Sequence, residues 1–232
     1  MAAKKLPKRR KPARARGRHH GLTRERVVAE GRRLLDKKGV EALSMRTLAQ
    51  RLGVSTMALY NHINDKQDLL EAIAQDVVEE LRVPTETGDW QQRLRAIFRS
   101  LRRVCLENPH AIPVIENAEV LPAVFRPMEA ALAALKEAGL GLKEGLQTYF
   151  LLTNFTMGQA SYEITGPFRG LDPSEAVQRR TILSRDFPLV VEAVAAGEWD
   201  FDAAFEFGLD VIIDGLAARS NEGLPSSKVR RG

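Results

Sequence analysis

The sequence predicts an all-α fold, and three observations predict it. Apolar residues recur at i, i+3, i+4 and i+7 in nearly every segment from Thr23 onward. No alternating apolar–polar run of useful strand length breaks that pattern. Residues that start and stop helices punctuate the chain at helical spacing: Thr, Ser or Asp before an apolar run, and Gly, Asn or Pro after it. No internal repeat is present.

Thr23 can cap a first helix that carries Val27, Val28, Leu34 and Leu35 and stops at Lys37-Lys38-Gly39. Ser44 can cap a second, with Met45, Leu48, Ala49 and Leu52 on one face and Gly53 supplying the positive φ that ends it. Ser55 can cap a short third helix. Asp65 can cap a fourth over 66–82, about 25 Å long, with Asp68 three residues on as in a capping box. That helix should bury Leu69, Leu70, Ile73, Val77 and Leu81 before Pro84. Residues 84–88 read as a linker, and Asp89 can cap a fifth helix that runs to about Glu107. Pro113, Pro122 and Pro127 reduce 110–127 to short helices and turns. Further helices follow: one through Met128–Ala138, one over 142–165, one or two over 174–196, and a last from about Asp202 to Arg219.

Charge is distributed unevenly. Residues 1–20 hold nine Lys/Arg and no acid, and 228–232 hold three more. Between them, residues 21–227 carry 23 basic and 30 acidic residues, a net of −7. The first twenty residues have too few large apolar side chains to offset chain entropy, so a disordered basic arm is expected. It reads equally as a solubilising tail or as an arm along DNA phosphates or in a minor groove, as in homeodomains. The single cysteine, Cys105, forbids an intrachain disulfide and fits a reducing cytoplasm. No apolar h-region follows the cationic start, and no run approaches the ~18 apolar residues of a membrane span. A cytoplasmic protein with no membrane partner is expected.

The third helix is the informative one. Two helices joined by a tight Gly-containing turn form a helix-turn-helix. Its second helix enters a major groove about 12 Å wide, where only the first turns reach base edges. Shortness therefore suits the task, and so does composition. Ser55, Thr56, Met57 and Ala58 are small or unbranched, able to approach thymine methyls or exchange hydrogen bonds with bases. Leu59 and Ile63, four apart, anchor the helix to the core. Tyr60, Asn61 and His62 suit phosphate contacts, and Lys66 sits in the first turn of the next helix, where backbone N–H groups point outward. An ordinary helical hairpin with a polar face is the alternative. A metal-ligand role for His62 lacks any second ligand at suitable spacing.

The run LSMRTLAQRLGVSTMALYNHINDKQDLLEAIA resembles the N-terminal DNA-binding domain of the TetR family of transcriptional regulators. The likeness covers residues 23–80: a leading helix ending in KKGVEALSM, the R-x-L-A-Q-x-L-G-V-S turn, the L-Y-x-H-I recognition helix and the N-D-K-x-x-L-L restart. It implies phosphate and groove contacts for Ser44 and Arg46, with Thr47 as a further candidate. It implies base-facing roles for Ser55 to Ala58, and a backbone clamp of Tyr60, His62 and Lys66. Arg46 can also be read as a solvated helix charge. The organisation it implies is a disordered basic arm over 1–20, a helix-turn-helix domain over 21–68, a helical ligand-binding and dimerisation domain over 69–222, and a disordered tail over 223–232.

In the last helix Glu206, Asp210 and Asp214 form one narrow polar stripe among Phe205, Phe207, Leu209, Val211, Ile212, Ile213 and Leu216. Such a helix needs burial on most of its circumference. Helix 142–165, with YFLLTNF, is similarly apolar around. Two such helices from each of two chains make a four-helix dimer interface, the family pattern; a helix buried within one chain is the alternative. The resemblance implies a homodimeric repressor of a palindromic double-stranded DNA operator, released by a small apolar or amphipathic effector. Candidate effector contacts are Leu101, Cys105, His110, Ile115, Phe125, Met128, Phe150, Asn154, Met157 and Tyr162, though each such residue is more often plain core than a ligand contact. The segments DWQQRLRAIFRSLRRVCLENPH and FDAAFEFGLDVIIDGL look closest to the tetracycline-repressor-like C-terminal type. No His pair is present to hold a drug-bound metal, so tetracycline is not the expected inducer, and no metal or cofactor is expected.

Enzymatic motifs such as GxSxG, HExxH or a phosphate-cradling Gly-rich loop are missing from the sequence. The rival readings are a sequence-tolerant architectural DNA binder that uses the basic arm, and a helical-bundle enzyme.

Overall fold

The computed structural model describes residues 21–84, 88–117, 122–166, 186–189, 192 and 200–221. The basic segment 1–20, the tail 223–232 and most of the expected helix 174–196 lie outside these residues. The described elements are α1 (Arg24–Lys38), α2 (Met45–Leu52), α3 (Thr56–Tyr60), α4 (Lys66–Glu79), α5 (Trp90–Glu107), α6 (Ile112–Asn117), α7 (Phe125–Glu137), α8 (Leu142–Thr165) and α9 (Phe201–Asn221). Short 3-10 turns precede α2 and α7. Among the described residues there is no strand, and no helix is long and apolar enough to cross a membrane.

The expected caps form. Thr23 accepts from Arg26 N–H, Ser44 from Thr47, Ser55 from Ala58, Asp65 from Asp68 and Asp89 from Gln92. Each hydroxyl or carboxylate satisfies an amide that the helix itself leaves without a partner. Gly53 takes φ 69° and ψ 28°, the left-handed geometry that turns α2 into α3.

α4 is shorter than the sequence suggests. It ends at Glu79, 14 residues long, or about 21 Å. The cause lies in the body, not at Pro84: the Arg82 amide donates to Ser100 Oγ of α5 at 2.8 Å, drawing the chain off the helix axis. Leu70 and Leu81 are only half-buried, while Ala74 and Val78 join the core. α7 starts earlier than expected, at Phe125, with Pro127 in its first turn, where a missing N–H costs nothing.

Two cores result. In the head, Leu34 and Leu35 of α1, Leu48 of α2, Leu59 of α3, and Leu69 and Ile73 of α4 are closed to solvent. The body core is built by α5, α7, α8 and α9 around Leu94, Phe98, Leu135, Leu152, Phe205, Leu209 and Ile213. A smaller cluster of Cys105, Ile112 and Ala160 lies where the end of α5, α6 and the end of α8 meet.

α5 and α9 run antiparallel and are joined by charge. Arg95 pairs with Asp210 (2.8 Å) and Asp214 (3.1 Å), Arg99 with Glu206 (2.6 Å), and Arg102 with Asp202 and Glu163 (2.6 Å each). The polar stripe of α9 is therefore an ion-pair ladder against α5. Phe205 stacks on Phe155 of α8 at 5.7 Å. Gly208 sits where a side chain would strike the Phe155 ring, so its lack of a Cβ lets α8 and α9 pack face to face.

Candidate nucleic-acid interface and effector region

An α3 of five residues has no independent stability. Its rigidity comes from below. Leu59 and Ile63 are 0% and 1% exposed, each contributing about 1.5–3 kcal/mol by burial. With those two pinned, the opposite side of the same short element must point outward. Met57 is 75% exposed and Tyr60 46%. Ser55 and Asn61 are also exposed, while Thr56, Ala58 and His62 are half-buried.

On α2, Ser44 and Arg46 are exposed and Thr47 is half-buried. Ser44 Oγ lies 2.8 Å from Thr47 Oγ1 while accepting the Thr47 amide at 3.1 Å. Ser44 is thus held by its own helix as a cap. Lys66 is exposed at the start of α4, and its Nζ donates to the Val40 carbonyl at 3.3 Å. The sequence-predicted contacts lie on α2, α3 and the first turn of α4, all within the head.

One residue that sequence reasoning missed fixes this arrangement. Arg24, in the first turn of α1, donates to the His62 carbonyl (2.9 Å) and to both Asp68 oxygens (3.3 and 2.5 Å). It ties the start of α1 to the end of α3 and the start of α4. The Arg24 guanidinium, with the Asn64 amide, holds the Asp68 carboxyl below the usual carboxylate range. A second clasp holds α1 to α2: Glu30 pairs with Arg51 and with Arg33, and Arg51 chiefly lowers its pKa. Neither Arg24–Asp68 nor Glu30–Arg51 has a spacing rule within one helix that would announce it, whereas Glu30–Arg33, at i, i+3, does.

The head is coupled to the body at the end of α4. Arg32 of α1 reaches Glu80 at 2.6 Å and Asn108 Oδ1 at 2.6 Å. Asn108, 4% exposed, donates in turn to the Val104 carbonyl (2.9 Å) and Glu80 (3.4 Å). Arg103 donates to the Glu80 carbonyl at 3.1 Å. The α5–α6 turn begins at Asn108, so these bonds tie that turn to α1 and to the end of α4.

The proposed effector contacts separate into groups. Leu101, Cys105 and Met157 come together in the small cluster beside α6, with Ile112 and Ala160. Burial pushes the Cys105 thiol up to about 11, so it stays protonated and behaves as a small apolar group. Ile115 instead packs against the head core, and Met128 against the body core. His110, Phe125, Phe150, Asn154 and Tyr162 are exposed on the single chain. Of these, Phe150, Asn154 and Tyr162 lie on the outward face of α8, which also carries Leu146 and Leu151. Asn154, exposed on that face, is not a polar group sunk among apolar neighbours. That description fits Thr156: fully buried on α8, between Leu152 of the body core and Ala160 of the small cluster, its hydroxyl has no hydrogen-bond partner among the described residues.

A helix-turn-helix head with an outward third helix, bonded through α4 to a helical body, defines a transcriptional regulator of the one-chain, two-domain kind. Family comparison agrees on both parts. Residues 27–73 match the model for bacterial regulatory proteins of the tetR family, and residues 84–220 match the tetracyclin repressor-like C-terminal domain. The chain belongs to the TetR family of transcriptional regulators. It is 30% identical over 201 residues to an HTH-type transcriptional regulator of Saccharopolyspora erythraea, covering 85% of each chain. It is 32% identical over 197 residues to the class A tetracycline repressor protein from transposon 1721 of Escherichia coli, covering 83% of this chain and 89% of that one. Among solved structures, the TetR family protein ActR of Streptomyces coelicolor in complex with actinorhodin superposes with a TM-score of 0.73 at 31% identity, over 86% of this chain and 99% of that one.

Proposed function

We propose that this regulator is a homodimeric repressor that binds a palindromic operator and is released by a small apolar or amphipathic effector. The observation that carries the reading is α3 itself: five residues bolted down by Leu59 and Ile63, with Met57 and Tyr60 held out to solvent. A folded protein gains nothing in stability by exposing a methionine and a tyrosine on one turn, whereas a major groove takes both.

Dimerisation draws support from the outward face of α8 and α9. Phe150 (49%), Leu151 (54%), Phe207 (71%) and Val211 (56%) are exposed on helices that Gly208 brings into close packing. Large apolar side chains left exposed on two packed helices favour an interface there. A second copy placed by a two-fold axis would cover it isologously and set two α3 helices for successive grooves about 34–36 Å apart.

Effector control is favoured by the cluster of Leu101, Cys105, Met157 and Ile112, with the Thr156 hydroxyl as a polar handle beside it. That combination suits a molecule with a broad apolar surface and one or two hydrogen-bonding groups. ActR's structure with actinorhodin is a related protein occupied by a small molecule. A ligand that prefers a displaced α6 would act on the head through Asn108, Glu80 and Arg32 and lower operator affinity by its differential affinity for the two forms.

The test uses purified protein and duplex DNA from the region flanking its own gene. Specific, salt-sensitive binding that is lifted by at least one of a panel of amphipathic aromatic compounds is the expected result. Binding that no sequence competes for better than bulk DNA would contradict the repressor reading and favour an architectural binder.

A further inference from the structure

The side chains that α2, α3 and α4 hold out to solvent differ in chemistry. Arg46, Tyr60, Asn61 and Lys66 are exposed, and each carries a hydrogen-bond donor. Met57 carries none, yet at 75% it is the most exposed large apolar side chain of the head. Its place on the helix explains the exposure. Leu59, two residues on and about 160° round the helix, is fully buried, so Met57 points away from the core. The flanking residues are less available. Ser55 Oγ accepts the Ala58 amide at 3.2 Å, and Thr56 and Ala58 are half-buried. The other described methionines, Met45, Met128 and Met157, are half-buried and pack against apolar clusters, the ordinary use of this residue.

We propose that Met57 is a specificity-determining residue that packs on the C5-methyl group of a thymine in each operator half-site. The inference rests on the DNA-binding reading above and names what one residue of it reads. The major-groove edges of the four bases present acceptors, amino donors and a single apolar group, the thymine methyl. A thioether gains nothing against a phosphate or a guanine edge, because it has no donor to offer. Against the methyl, apolar surface is removed from water on both partners. The unbranched Met57 side chain also extends well beyond the methyl of Ala58, so it meets the groove floor first. Sulfur is a weak acceptor, and an adenine or cytosine amino group is its one alternative on the base edges. That contact would not depend on a methyl, and the experiment separates the two.

The experiment is a deoxyuridine scan of the operator that footprinting defines on DNA flanking the protein's own gene. Deoxyuridine pairs with adenine as thymidine does and lacks only the methyl. Each thymine of the footprint is replaced in turn, in both half-sites together, and affinity is measured for the native chain and for Met57→Ala. In the native chain at least one replacement should weaken binding by about fourfold per half-site, the worth of one buried methyl-sized group. Met57→Ala should bind the thymine and deoxyuridine forms of that position equally. Its helical content should be unchanged, since the side chain it loses lies outside the core. A scan with no sensitive thymine in the native chain would overturn the proposal. So would a sensitive thymine whose effect persists in Met57→Ala, which would assign the methyl to another residue. In both cases the footprint remains and the helix-turn-helix reading stands. A native chain that protects no site in preference to bulk DNA would overturn that reading and the thymine contact together.

Discussion

Arg32 donates to the side-chain carbonyl of Asn108 at 2.6 Å, across 76 residues of sequence. The bond joins the first helix of the DNA-reading head to the turn that starts α6, and Glu80 at the end of α4 completes it. Because Asn108 is buried, deleting its partners leaves a polar group without compensation, a cost of about 1–3 kcal/mol. Arg32→Leu and Asn108→Ala should each lower the urea midpoint. The double variant should lose clearly less than the sum of the two, with a coupling of about 0.5–3 kcal/mol. Strict additivity would mean that the two side chains do not act as one joint.

Gly208→Val tests the α8–α9 contact. A side chain there strikes the Phe155 ring, which is itself stacked on Phe205 in the core. Overpacking of this kind costs about 1–3 kcal/mol. Thermal unfolding should shift downward, and any association through the outer faces of the two helices should weaken with it. An unchanged midpoint would show that the crossing tolerates a wider spacing.

Phe207→Glu combined with Val211→Glu places two charges on the exposed face of α9 without touching Phe205, Leu209 or Ile213, which lie on the buried face. Helical content should be retained; the unaltered chain should sediment as a dimer and the double variant as a monomer at the same concentration. A double variant that still sediments as a dimer would move the interface elsewhere.

The head should respond to acid through Asp68. Arg24 holds that carboxyl below its ordinary value, so the ionised form stabilises the folded state. The contribution is complete above the unfolded pKa of about 3.9 and is lost as pH falls through the lower folded value. Acid titration of helical content should show this step, and Asp68→Asn should remove it while lowering stability at neutral pH. A step that survives in the Asn variant would belong to another group, with Glu30 next in line because Arg51 lowers its pKa as well.

Local signals were the legible ones. Thr23, Ser44, Ser55, Asp65 and Asp89 announce helix starts by short-range chemistry, and each cap forms as the residue type demands. The spacing of Leu59 and Ile63 was enough to orient α3. Contacts between elements were not legible in the same way. Nothing at Arg24 points to Asp68, forty-four residues on, and α4 stops early because of a serine on α5. The pairing of Arg95 and Arg99 with the α9 acids had a faint signal, since both sets repeat every four residues. The effector candidates show the limit most clearly. Phe150, Asn154 and Tyr162 lie in a helix whose apolar run suggests a pocket lining, but helix rotation turns them outward, whereas the buried Thr156 looked like any helix residue. Amphipathic period says which residues share a face, and only packing says what that face meets.

The central claim, that two copies of this chain read DNA through paired α3 helices, is tested most directly by major-groove protection mapping on DNA flanking its own gene. The account predicts two protected patches on one face of the duplex, centred about one helical turn apart, both lost in a Tyr60→Ala, Lys66→Ala variant that remains folded and dimeric. A single patch, or two patches that persist in that variant, would contradict it.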